Sequence, residues 1–248
     1  MTSFYATLRR ELVSLWLTPL AWVLLLTLVL LQGGVFASIV TSFATNPELT
    51  LDVGPLQAFY GQSVFVPLTL VFLCPTLTMR TFAEERRGGT IENLLSAPTS
   101  VSAIVLGKYV AALVSFVILW LPSVAFPSLL RHVIEVEWRV VGTSYLGVFG
   151  LGAGFLALGV LCSAITRSQF VALTLTCGVI LVFVLLGVVE YTVEGGWVQS
   201  FCGHVAIQSQ LAEMSQGIVA TRRLVFDATL IALPLFLAVR VVDSWRWS

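Results

Sequence analysis

Glu84, Glu85, Arg86, Arg87 and Glu92 fall within nine residues of one another, in a 248-residue chain of which only 10% is charged. The chemistry open to such a cluster is recognition, because carboxylates and guanidinium groups make charge-assisted hydrogen bonds with a partner surface. The cluster lies inside Arg80-Thr-Phe-Ala-Glu-Glu-Arg-Arg-Gly-Gly-Thr-Ile-Glu-Asn-Leu-Leu-Ser-Ala-Pro98. Phe82 to Arg87 can prolong a preceding helix beyond the membrane surface. Gly88-Gly89 then stop it, since paired glycines disfavour helix and permit left-handed backbone. Thr90 is placed to cap a new helix, in which Ile91, Leu94 and Leu95 recur at i, i+3 and i+4 as one apolar stripe. Ala97-Pro98 ends that helix, and Thr99 or Ser100 can cap the third span. These residues fit a short amphipathic helix seated on a soluble partner. They fit equally a solvated loop whose apolar side rests on lipid.

Other chemistries find little support. A phosphate-binding loop needs GxxxxGK(S/T) after a strand, and the one Gly-Lys pair, Gly107-Lys108, is followed by Tyr109. Ser63, in Gly-Gln-Ser-Val, does not match a nucleophile elbow. Cys74, Cys162, Cys177 and Cys202 show no CxxC spacing and read as packing residues. His132 and His204 lack acidic or thiol neighbours at ligand spacing. No catalytic residue, metal site or cofactor is therefore expected on this chain, and its net charge of zero gives no general pull toward nucleic acid.

The elements that must position the cluster are membrane helices. The composition is 58% hydrophobic, with a mean hydropathy of +0.97, against a charged fraction of about 25% in soluble domains. Crossing the hydrocarbon core takes about 20 apolar residues, and six segments qualify, near 20–40, 59–79, 103–123, 143–165, 170–189 and 224–242. The fold class expected is all-α, a single polytopic domain over 1–248. Six spans put both termini on one side. That side holds Arg9, Arg10, Arg80, Arg86, Arg87, Lys108, Arg167, Arg240 and Arg246, nine of the 13 basic residues. The positive-inside bias makes it cytoplasmic, together with the charged loop at 80–100. Arg9-Arg10 before an apolar stretch also suits a signal peptide, but that stretch is long for a signal core and is read as a retained span.

Residues 3–16 read as an interfacial helix, with Phe4, Leu8, Leu12, Leu15 and Trp16 at helical spacing. Thr18-Pro19 turns the chain into the bilayer. Trp245 and Trp247 suggest an interface anchor for the last span. The 190–223 connection is external and too long and apolar to be structureless, which favours short re-entrant helices. Gly147, Gly150 and Gly154 in the fourth span offer a close-packing face, within the chain or against a second copy.

The 80–98 segment resembles the E-(E/K)-(R/K)-x-x-G-T-(I/L)-E-x-L-L-x-x-P signature of the permease subunits of ABC-2 type ABC transporters. More loosely, Ser215 to Val219, Arg222 to Asp227 and Val239 to Trp247 look like the gliding-motility and nitrous-oxide-reductase-maturation permeases. Gly203-His204-Val205 departs from the His-Phe pair frequent in gliding-type sequences. The resemblance implies an N-terminal elbow helix, six spans and a cytoplasmic coupling helix between spans two and three. It implies an ATPase-coupling interface made by Glu84, Glu85, Arg86, Arg87, Gly88, Gly89, Thr90, Ile91, Glu92, Leu94 and Leu95. It implies further a separate cytosolic ABC ATPase in two copies, carrying ATP and Mg, and a second permease copy or paralogue in the bacterial inner membrane. The function implied is export of a substrate the sequence does not name, with membrane lipid as the surroundings. The same fold also suits a mechanical coupler or maturation factor acting on an envelope partner. A secondary carrier fits less well, because the middles of the spans lack the ionisable residues such carriers use.

Overall fold

The computed structural model describes residues 2–46, 53–89, 100–132, 136–192 and 196–245. Helices α1 (Thr2–Leu17) and α2 (Pro19–Thr45) meet at Thr18, where Pro19 enters as a first-turn residue. They are followed by α3 (Pro55–Gln62), α4 (Phe65–Thr78), the short α5 (Ala83–Arg87) and α6 (Val101–Leu130). The remainder is α7 (Trp138–Ile165), α8 (Gln169–Thr192), α9 (Trp197–Val205), α10 (Ile207–Ser215) and α11 (Thr221–Ser244). No strand occurs among the described residues. α2, α6, α7, α8 and α11 are each long and apolar enough to cross a membrane, and the bent pair α3–α4 makes a sixth. The chain is an all-α, multi-pass membrane protein.

Two spans are broken where proline dictates. α3 and α4 meet at 48°. Pro67 has no N–H to give and its ring would crowd the carbonyl of Ser63, so helix restarts at Phe65 with Pro67 in its first turn. α3 ends in a π-turn, Ala58–Gln62. In α6, Pro122 falls in a 3-10 turn, Leu121–Val124, before Ala125–Leu130 resumes the helix. Ser100 caps α6, its side chain accepting from the Ala103 N–H at 3.4 Å.

α7 is the central helix, packed against α4, α6, α8, α10 and α11. By contrast α2 buries only the narrow stripe Ala21, Leu28, Gln32 and Phe36, with Phe36 stacked on Phe126 at 5.0 Å. Small residues let α7 sit among five neighbours. A methyl group at Gly147 would lie 2.7 Å from Met214 Sδ of α10, and one at Gly154 would lie 2.5 Å from Leu230 Cδ2 of α11. At Gly150 it would run into the Asp227 carboxylate. The glycine face is thus filled from within the chain. Gly154→Leu is expected to cost about 1–3 kcal/mol through overpacking, seen as a lower unfolding midpoint of the detergent-solubilised protein.

Candidate functional site

The charged cluster is held at the end of the molecule shared by both termini. α4 stops at Thr78, and α5 starts afresh after a turn at residues 79–82. This departs from the simple helix prolongation that the sequence suggests. The cause is Ser163 of α7, whose Oγ accepts from the backbone N–H groups of Phe82 and Ala83, both at 3.1 Å, and donates to Met79 O at 3.3 Å. Those N–H groups are thereby satisfied outside the helical ladder, which frees the chain to change direction.

α5 is anchored along its inner face. Lys108, 2% exposed, comes from α6 and donates to Glu85 Oε1 at 3.0 Å, Glu11 Oε1 at 2.9 Å and Thr81 O at 2.6 Å. Arg10 bridges the same two carboxylates from the outside, at 3.0 Å to Glu11 and 2.9 Å to Glu85. Burial pushes the Glu11 carboxyl up, and the neighbouring Lys108 and Arg10 more than reverse it, holding Glu11 below its ordinary value. Arg86 donates to the carbonyls of Ala164 and Ile165 at 3.2 and 3.1 Å, a cation at the C-terminus of α7. Its guanidinium also lies over the Trp245 ring at 4.6 Å, and Phe82 meets the same ring edge-on. Trp245 therefore locks α11 to α5 from within the fold.

The cluster divides into two sets. Glu85 and Arg86 face inward and fix α5 to α1, α6, α7 and α11. Glu84, Arg87, Gly88 and Gly89 are exposed, and Gly89 takes the left-handed conformation at φ +67° that ends the segment. Thr90, Ile91, Glu92, Leu94 and Leu95 lie outside the described residues. Sequence reasoning missed Glu11, Lys108 and Ser163. The available signal was that Lys108 is the only lysine in the chain and sits inside an apolar run.

A second polar knot closes the opposite end. Arg223, 1% exposed, makes a two-pronged contact with Glu213 at 3.0 and 3.2 Å and donates to the carbonyls of Gly203 and His204 at 3.0 and 2.7 Å. The Arg223 hydrogen bonds come first among the reasons that Glu213 stays below its ordinary value. Gln210 donates to both carboxylate oxygens of Asp227 at 2.9 Å. Together these tie α9 and α10 to the first turns of α11.

The geometry is that of a short helix clamped to a bundle of spans, and a known family matches most of the chain in sequence. The model of the ABC-2 family transporter proteins matches residues 9–218, from α1 through α10. The chain belongs to this family. Both ends of the Glu11–Lys108–Glu85 network and the whole charged loop fall within the match. As an ABC-2 family member the chain is a membrane component of an ABC transporter, a class in which ATP hydrolysis generally resides on a partner subunit. No curated protein matches the chain.

Proposed function

We propose that this chain is the permease subunit of an ATP-driven exporter in the bacterial cytoplasmic membrane, with both termini and the 80–100 loop in the cytoplasm. Glu84, Arg87 and the apolar stripe of Ile91, Leu94 and Leu95 receive a separate ABC ATPase, which carries ATP and Mg. Two ATPases and a second permease copy or paralogue complete the pathway, since six spans form half of the usual twelve. The observation that carries this reading is the clamping of α5 by Lys108, Ser163 and Trp245. A short helix fixed to four other helices moves them when it is pushed, whereas a loose loop would absorb the motion.

A second reading keeps the same coupling and replaces solute export by work on an envelope partner, as in the gliding-motility and maturation permeases. It is favoured by Trp197 and Phe201, which stand 81% and 59% exposed one turn apart on α9. The test is affinity purification in mild detergent, with the co-purifying proteins identified by mass spectrometry. A P-loop ATPase recovered with the chain supports coupling, and an added envelope protein that crosslinks at Trp197 favours the second reading. Absence of any ATPase even after crosslinking refutes both.

A further inference from the structure

The crevice between α2 and α4 runs from an apolar groove into a small polar end. The groove, about 210 Å³, is walled by Leu28 and Leu31 of α2 and by Leu68, Thr69 and Phe72 of α4. Leu31, Leu68 and Phe72 are more than half exposed, so it opens sideways toward lipid. From Phe65 to Thr76 it follows α4 for about 17 Å. That is close to the roughly 15 Å of hydrocarbon in one leaflet, half of the core. Leu24 and Thr76 line both the groove and the polar end, making the two continuous.

At the polar end stand Trp16, Arg80 and Ser115. Trp16 Nε1, Arg80 Nε and Ser115 Oγ are buried there, and none has a hydrogen-bond partner among the described residues. Ser115 itself is 2% exposed. Indole and guanidinium N–H groups can only donate, so the missing group is an acceptor. The space is about 10 Å³, room for one oxygen atom and not for a whole headgroup. A water supplies an oxygen but no charge. Arg80 is half-buried with no carboxylate beside it among the described residues, whereas Arg10 and Lys108 nearby are both paired.

We propose that this crevice binds a glycerophospholipid of the leaflet on the side of the termini, with an acyl chain in the α2–α4 groove and a phosphate oxygen received by Arg80, Trp16 and Ser115. Such a lipid wedges α1, α2, α4 and α6 together at the membrane surface. The site does not depend on the export reading, so either can fail alone.

The test is native mass spectrometry of the delipidated complex titrated with palmitoyl-oleoyl phosphatidylglycerol, or with the diacylglycerol of the same chains. One phosphatidylglycerol per chain is expected to survive activation and the diacylglycerol to be lost. Arg80→Gln should lower occupancy about fivefold. Trp16→Phe, which keeps the ring and removes the N–H, should act in the same direction. Thr69→Trp fills the groove without touching the polar end and should exclude the lipid, so the test survives if one variant fails to assemble. Equal retention of both lipids, or unchanged occupancy in Trp16→Phe and Thr69→Trp, overturns the proposal. So does displacement by excess inorganic phosphate, or a map of the complex in lipid with only a water at Trp16.

Discussion

Replacing Lys108 with methionine is expected to abolish coupling between the permease and its ATPase while leaving membrane insertion intact. Insertion is driven by the apolar spans, and the substitution only makes one of them, α6, more apolar. The stem of methionine refills the cavity, but the cation that holds Glu11 and Glu85 within 3.0 Å of one nitrogen is gone. Two carboxylates, 18% and 16% exposed, then face each other without the buried cation, while Arg10 still reaches both from the outside. Breaking a buried ion pair by removing one partner costs about 3–5 kcal/mol, and Arg10 places this case toward the lower end. A loss of only about 1.4 kcal/mol at α5 is a tenfold change in rate. The ATPase activity of the assembled complex should therefore fall at least about tenfold, and the unfolding midpoint should drop. The triple variant Glu11→Gln, Glu85→Gln, Lys108→Met removes the three inner charges and leaves only the exposed Arg10 of the four. It should recover stability, since a neutral trio has no buried charge to leave unpaired, without recovering activity. Recovery of both would reduce Lys108 to a structural role.

The second large effect is expected from Ile91→Asp with Leu95→Asp. Four residues apart in the sequence, these are the residues proposed to seat in the ATPase. Truncating a central apolar anchor commonly costs about 2 kcal/mol or more, and burying an unpaired carboxylate adds to that. About 4 kcal/mol between them corresponds to nearly a thousandfold in affinity. The ATPase should disappear from the purified complex while the permease remains at normal levels in the membrane. Glu84→Gln is the control. An exposed charge at the rim mainly affects association rate, so that variant should still recover its partner.

Much of the architecture was legible because the spans are long apolar runs; of the prolines in them, Pro67 and Pro122 lie at breaks, whereas Pro75 sits inside the continuous α4. The stop after α5 could be read from the glycine pair, and Gly89 takes the left-handed conformation there; the Ile91, Leu94, Leu95 stripe lies outside the described residues. What escaped was the inner anchoring of α5. Lys108 lies 97 residues from Glu11 and 23 from Glu85, so nothing local marks the three as one knot. Ser163 is hidden for the same reason, as an ordinary serine near a helix end. The cluster read as uniformly outward, whereas helix geometry turned Glu85 and Arg86 inward and left Glu84 and Arg87 outside. The glycine face of α7 was visible as a close-packing surface. Its partners were not, because Met214, Asp227 and Leu230 reach it only once α10 and α11 have folded back. Asp227 is a charge near the start of a span, but its partner Gln210 carries no signal of its own.

The central claim is that the loop around α5 receives force from an ATPase. The most direct test places a photo-crosslinking amino acid at Glu84 or Arg87, the exposed members of the cluster, in cells of the native host. A nucleotide-sensitive crosslink from either position to a P-loop ATPase is the predicted result. Efficient incorporation with no ATPase adduct at either position, or labelling of both only from the opposite side of the membrane, would contradict it.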